Sequence, residues 1–208
     1  MIEVLTSNTP NGKKITIMLE EIGQEYKITK ININKDEQFK PEFQKLSPFR
    51  KIPVIIDHDK NISLFESGAI LIYLAEKSGK FYRLENKLKI DQWLMAQMGS
   101  IGPFIGQYHF FYRFNKGLSE ISEKRYFDIT KSIYKVLDDH LKNNNFLAGD
   151  EYSIADIATW PWIARHHWHD IGLKNYPNLC KWYEVISKRP AVVRGYKFID
   201  ESSEIPKP

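Results

Sequence analysis

An α/β domain of order βαβαββα followed by an all-α domain is the fold class the sequence predicts, and three observations carry it. Up to about residue 80, short β-branched runs alternate with helical patterns, punctuated by Pro, Gly and Asn. Pro53 stands at the head of the apolar run Val54-Ile55-Ile56, a place where a strand tolerates a residue that cannot donate to the ladder. Beyond about residue 88 no strand pattern recurs and apolar residues repeat at helical spacing. The expected boundaries are residues 1–80 and 88–208, with Gly79 and the charged stretch Arg83 to Lys89 as the linker.

In the first domain, Ile2 to Leu5 reads as a strand. Pro10-Asn11-Gly12 reads as a turn into a helix with Ile15, Ile17, Met18, Leu19 and Ile22 apolar, stopped by Gly23. Tyr26 to Ile33 alternates as a second strand, and Pro41 to Leu46 forms a short helix before Ser47-Pro48. The strand after Pro53 and a strand at Ile62 to Phe65 flank a turn at Asp57 to Asn61, and Ser67 opens a helix running to Lys77. The second domain starts with an aromatic-rich helix from Lys89 to Phe114, softened by Gly99, Gly102, Pro103 and Gly106. An amphipathic helix from Ser119 to Lys142 stops at Asn143-Asn144-Asn145. Ser153-Ile154-Ala155-Asp156 is a capping box in which Asp replaces the usual Glu, which gives Asp156 a folding role rather than that of a catalytic acid. The helix it starts contains Pro161, expected to kink it, and a final helix covers Leu179 to Lys188.

Composition narrows the function. The 208 residues suffice for one large or two small cores, and the net charge of +4 comes from 30 basic and 26 acidic residues mixed along the chain. The only basic cluster, near Lys188, Arg189, Arg194 and Lys197, predicts a solvated surface rather than a nucleic-acid face. Met1 to Leu5 lacks a leader pattern and the run Ala69 to Ala75 is far too short to span a bilayer, so a cytoplasmic, membrane-free protein is expected. The single cysteine, Cys180, excludes an internal disulfide, a Cys-X-X-Cys pair and a cysteine-rich zinc site, and its neighbours predict a buried helical thiol. Sulfur chemistry must therefore arrive with a ligand. His166, His167 and His169 lack the convergent ligands of a metal site and read as a helix C-terminus favoured by its dipole, so no metal is expected.

Two local patterns point to a ligand. A cis Ile52-Pro53 bond would turn the Ile52 backbone N–H and C=O toward an extended peptide. Glu66-Ser67 precedes the helical pattern Ala69, Ile70, Tyr73, Leu74, whose free N–H groups favour a carboxylate; Ser67 can hydrogen-bond it, and Glu66 can meet an ammonium. One end of a short zwitterionic peptide fits this pair. Either pattern alone reads more simply as a strand start or a helix cap with no ligand.

Four motifs then carry a resemblance: Thr9-Pro10-Asn11-Gly12 with Lys14; Lys51-Ile52-Pro53; Phe65-Glu66-Ser67-Gly68-Ala69-Ile70; and Phe146-Leu147-Ala148-Gly149 with Ser153-Ile154-Ala155-Asp156. In this order they make the chain, over essentially its whole length, resemble a glutathione S-transferase, most closely the bacterial nu class of glutathione-dependent disulfide-bond reductases. The resemblance implies a thioredoxin-like first domain that binds glutathione or its disulfide, an all-helical second domain, and a homodimer. In nu-class proteins a Thr and an Asn serve the sulfur, at positions matching Thr9 and Asn11; the segment has no Tyr or Cys of the other classes, and Ser7 remains a rival. From the residues alone, Thr9 and Asn11 shape a turn and cap the first helix. By the same resemblance Gln38, Lys51, Ile52, Pro53, Glu66 and Ser67 hold the rest of glutathione, with Lys51 pairing the glycyl carboxylate, although Gln38 reads equally as a solvated loop residue. Gln107, His109 and Phe110 are expected to line a second-substrate pocket between the domains, while their aromatic stripe equally suits core or dimer contact. The implied activity is disulfide reduction. The alternatives are conjugation of electrophiles or reduction of peroxides, and a non-catalytic regulatory or scaffold protein.

Overall fold

A computed structural model describes residues 1–208, which divide into two units: Met1–Tyr82 with Arg189–Glu204, and Arg83–Lys188 with Ile205–Pro208. The first unit begins with β1 (Ile2–Thr6), α1 (Pro10–Ile22), β2 (Tyr26–Lys30), α2 (Pro41–Leu46), β3 (Val54–Asp57), β4 (Ile62–Phe65) and α3 (Ser67–Ser78). The sheet order is β2-β1-β3-β4, with β1 parallel to β2 and antiparallel to β3, and β3 antiparallel to β4. Ile2, Val4, Val54 and Ile55 are fully buried with Ile15, Met18 and Leu19 of α1 and Ile70, Leu71 and Leu74 of α3, so both helices bury an apolar face in the unit's core.

Local chemistry shifts two expected boundaries. Pro10-Asn11-Gly12 is the first turn of α1 itself: proline's fixed φ suits that position, and the Thr9 side chain caps the helix. Strand β2 stops at Lys30 instead of Ile33, because the Asn32 side chain accepts a hydrogen bond from the Asn34 N–H at 3.1 Å and turns the backbone into a short 3-10 helix.

Asp57 ties the sheet to α3. It is fully buried and accepts bonds from the Tyr73 hydroxyl at 2.5 Å, the Asp59 N–H at 3.0 Å and the Lys77 ammonium. Burial alone would raise its pKa, but these bonds outweigh it and hold the carboxyl at about 2. A folded pKa below the unfolded value of 3.8 adds stability above that pH, and the gain is lost as pH falls through about 2. The difference in urea-unfolding stability between the protein and Asp57→Asn is therefore expected to shrink from about pH 4 to about pH 2. A difference that stays constant over that window would refute this account.

The second unit holds α4 (Lys87–Ala96), α5 (Gly102–Tyr108), α6 (Glu120–Leu141), α7 (Ile154–Ile163) and α8 (Pro177–Ser187). The helix expected from Lys89 to Phe114 is interrupted by wide π-helical turns at Gln97–Ile101 and His109–Phe114. The softening glycines serve packing: a Cβ on Gly102 or Gly106 would lie 3.4 or 3.5 Å from the Trp162 ring, and one on Gly102 only 2.7 Å from Gln97 Nε2. Helix α7 is buried along its whole length and starts with the expected capping box. Asp156 accepts from the Ser153 N–H at 3.0 Å and hydroxyl at 3.1 Å, the Leu147 N–H at 2.9 Å and the Trp182 indole N–H at 2.9 Å. No helix of the chain is long and apolar enough to cross a membrane.

The reading of the histidine cluster needs correction. His169 is fully buried, 2.6 Å from the Tyr134 hydroxyl through Nδ1 and 2.8 Å from His109 Nε2 through its own Nε2. Burial lowers the pKa of both histidines, so they are held neutral rather than charged against a helix dipole. No group of three or more His, Cys, Asp or Glu converges on a metal position.

The chain closes with α9 (Pro190–Lys197), which returns to the first unit instead of completing an 88–208 domain. A Cβ on Gly195 would come within 2.6 Å of Ile17 Cα, so α9 lies against the α1 backbone. The Thr16 hydroxyl donates to Gly195 O at 2.7 Å, and Lys13 Nζ to Tyr196 O at 2.6 Å. Part of the basic cluster read as solvated is in fact paired: Arg189 forks onto Glu21 at 2.5 and 2.8 Å, and Arg194 meets Glu20 at 2.6 Å.

Candidate functional site

Three strand ends meet at one edge of the sheet. Leu5 pairs with Val54, and Val54 with Phe65. The residues just past these pairs are Ser7, Ile52-Pro53 and Glu66-Ser67, so the three segments leave the sheet at the same end. The ladder begins at Val54, so Ile52 lies outside it, and the Ile52-Pro53 bond is cis. Because β2 runs parallel to β1, with Thr6 opposite Lys30, the segment carrying Gln38 leaves from the same edge. The topology thus gathers the segments of every glutathione residue expected in the first domain.

At the start of α3, Glu66 takes φ +68°, a conformation that costs a residue other than glycine roughly 1–3 kcal/mol and marks functional turns. Its side chain is exposed and makes no capping bond, so the first N–H groups of α3 have no side-chain cap. Ser67 is 5% exposed and Lys14 1%, with Lys14 Nζ 3.2 Å from Ser67 Oγ. Burial pushes the Lys14 pKa well down, and the Glu66 carboxylate acts in the opposite sense. A helix start without a side-chain cap, with an amine behind it, suits an anion.

At the start of α1, Thr9 Oγ1 accepts from the Gly12 N–H at 3.1 Å. A hydroxyl that accepts still has its own proton to donate, so capping and ligand binding are compatible. Asn11 is half-buried in the first turn of α1. Gly12 has no room for a side chain, since a Cβ would fall 2.5 Å from the Ser7 carbonyl oxygen. Gln38 is partly buried; its Nε2 donates weakly to Ile33 O at 3.4 Å, while its buried Oε1 has no partner, an acceptor that a ligand N–H would satisfy. Lys51 has an exposed side chain and a fixed backbone: Ser47 Oγ donates to its carbonyl at 2.9 Å and accepts from its N–H at 3.1 Å.

The residues expected to line a second-substrate pocket divide. Gln107 and Phe110 are exposed, but His109 is 6% exposed, with Nε2 engaged by His169. Cys180 is partly buried rather than buried; burial, then Glu184, pushes its thiol pKa up, which disfavours a reactive thiolate. Lys14 is the residue that sequence reasoning quoted without a role. Its signal was present, because it falls three and four positions before Ile17 and Met18 on the buried face of α1.

Comparison with known proteins gives the family. Residues 5–76 match the model of the glutathione S-transferase N-terminal domain, and residues 102–190 that of the C-terminal domain. The chain is 43% identical over 198 residues to "Disulfide-bond oxidoreductase YfcG" of Escherichia coli (strain K12), covering 92% of each sequence. A glutathione transferase family member from Pseudomonas fluorescens pf-5, solved with two glutathione bound, superposes with a TM-score of 0.88 at 40% identity over 94% of this chain and 92% of that one. A glutathione transferase from Pseudomonas putida, solved with one glutathione disulfide per subunit, gives 0.87 at 39% identity, covering 94% and 90%. With both domain models matched across a four-stranded mixed sheet and a helical unit, the chain belongs to the glutathione S-transferase family.

Proposed function

We propose that this protein is a glutathione-dependent disulfide reductase whose thiolate is supplied by bound glutathione and held by Thr9 and Asn11. The observation that carries the reading is the meeting, at one sheet edge, of an uncapped α3 start, an Ile52 backbone outside the ladder, and a Thr9 hydroxyl with a proton to donate. Ile52 pairs the peptide backbone, Glu66 and Ser67 take the γ-glutamyl end, and Lys51 and Gln38 meet the remainder. Relatives support reduction over conjugation: one is named a disulfide-bond oxidoreductase, and others were solved with glutathione or its disulfide, the two redox forms such a reaction interconverts.

The thiolate attacks one sulfur of the disulfide RSSR, so that a new S–S bond forms as the old one breaks and RS⁻ leaves. A second glutathione thiolate attacks the glutathione sulfur of the mixed disulfide, giving oxidised glutathione and a second RS⁻. The protons of the two glutathione thiols end on the two released thiols. An ordinary thiol has a pKa of about 8.5, and each unit of depression requires about 1.4 kcal/mol. Bonds from Thr9 and Asn11, with the α1 helix start, supply it.

Two measurements test this reading. Glutathione at a hundred times its Kd should stabilise the fold by about 2.7 kcal/mol, seen as a higher Tm. Glutathione-dependent reduction of a small dialkyl disulfide should outpace conjugation to an activated aryl chloride. No shift in Tm at millimolar glutathione would favour a non-catalytic scaffold. Faster conjugation would favour a transferase acting on electrophiles.

A further inference from the structure

We propose that Asp200 and Ser203 are positioning residues for the sulfur end of the site, holding through Asn8 the turn that presents Thr9; this rests on the glutathione reading above. Between β1 and α1 the chain makes a tight three-residue turn, with the Thr9 N–H donating to the Ser7 carbonyl at 2.7 Å and Asn8 at the apex. The apex side chain is clamped from the far end of the same unit: Asn8 Nδ2 donates to Asp200 Oδ2 at 3.0 Å and to Ser203 Oγ at 3.2 Å. An apolar contact adjoins this clamp. Ile199 is 3% exposed, and a Cβ on Gly12 would lie 3.3 Å from its Cδ1. The strap that follows α9, Ile199 to Ser203, therefore meets both the turn and the start of α1.

The Asp200 carboxylate divides its two oxygens between the strap and the turn. Its Oδ1 accepts from the Ser202 N–H at 3.1 Å and the Ser202 hydroxyl at 2.7 Å, which folds the strap on itself and leaves Oδ2 toward Asn8. The Ser202 bonds also hold the carboxyl below its ordinary range, so it accepts at neutral pH. A contact that fixes the apex of a turn fixes the direction of its flanks, which here are Ser7 and Thr9, two of the three side chains weighed for the sulfur. Such bonds are steep in geometry, and a misplacement of about 1 Å can cost roughly a hundredfold in rate. The rival account has the opposite sign. If Asp200 acted on the sulfur only as a remote negative charge, its removal would favour the thiolate, whereas loss of positioning disfavours it.

The test is Asp200→Ala, with Ser203→Ala beside it, each read in three ways. In the ligand-free protein, amide exchange at Thr9 should quicken roughly tenfold as the turn opens more often. With glutathione bound, the thiolate pKa, followed by ultraviolet absorbance, should rise by about half a unit to one unit. Glutathione-dependent turnover of a small dialkyl disulfide should fall roughly three- to tenfold, with KM for glutathione within about twofold, since the peptide contacts are untouched. In the Asn8→Ala background, Asp200→Ala should cost much less than it does alone, because the two act through one contact. A thiolate pKa that falls would make Asp200 a remote charge and overturn the assignment. Unchanged exchange at Thr9 with an unchanged pKa would overturn it too, as would losses that add in full to those of Asn8→Ala, which would make the strap a general support of the fold. If Asp200→Ala does not fold, Ser203→Ala, which leaves the carboxylate in place, decides on the same readouts. Failure of the parent protein to bind glutathione would instead bring down the reading on which this one rests, while Thr9 exchange in the ligand-free protein would still judge the clamp.

Discussion

Replacing Asp156 by alanine is expected to destabilise the fold by about 4 kcal/mol or more. The carboxylate is fully buried and receives four hydrogen bonds, from two groups of Ser153, the Leu147 N–H and the Trp182 indole. Alanine leaves at least three buried donors without a partner, each costing about 1–3 kcal/mol, and removes half of the α7 capping box. An asparagine in its place would keep one acceptor but point an N–H₂ at other donors, so Asp156→Asn should fall between the parent and Asp156→Ala. Urea unfolding checks the order. An Asp156→Ala protein of parental stability that had lost activity would give the carboxylate a chemical role instead.

Removing both Thr9 and Asn11 should nearly abolish disulfide reduction in a protein that still folds. Each side chain is expected to favour thiolate over thiol by about 1.5 to 3 kcal/mol, so Thr9→Ala and Asn11→Ala should each lower turnover roughly ten- to a hundredfold, and the double variant further. Thr9 also caps α1, and its loss costs roughly 1 kcal/mol of stability besides. Thr9→Ser separates the two roles, because it keeps the hydroxyl and should keep most of the activity. The ultraviolet absorbance of bound thiolate, titrated against pH, should show the glutathione pKa rising in the alanine variants. Cys180→Ser should be silent, given a partly buried thiol with a raised pKa. Silent Thr9→Ala and Asn11→Ala beside an inactive Ser7→Ala would move the activating role to Ser7.

What the sequence made legible is what depends on neighbours along the chain. Pro53, the Glu66-Ser67 step and the Ser153–Asp156 box each announce a backbone geometry within a few residues, and the structure has all three. The end of β2 was missed because one Asn32 side chain outweighs the strand propensity of the residues after it. For His109 the sequence left pocket lining and core contact both open, because helical spacing fixes its face and not its partner; the partner, His169, lies sixty residues on. Lys14 was passed over because charge suggests solvent, whereas burial beside Ser67 is decided by the packing of α1 on α3. The return of α9 was hidden for the same reason: its contacts reach back to residues such as Ile17 and Glu21, far beyond any window that periodicity can scan.

That return sets a timetable for biosynthesis. The helix carrying Thr9, Asn11 and Lys14 leaves the ribosome before residues 83–188 are made, yet the segment that covers its flank, Arg189–Glu204, emerges only after them. Until then the Ile17 backbone edge of α1 and the carboxylates of Glu20 and Glu21 wait for Gly195, Arg194 and Arg189. Vectorial folding can begin the thioredoxin-like unit early but cannot finish it until the all-helical unit has been translated. A nascent chain stalled or cleaved before residue 189 would therefore carry every proposed glutathione ligand on an incompletely supported scaffold.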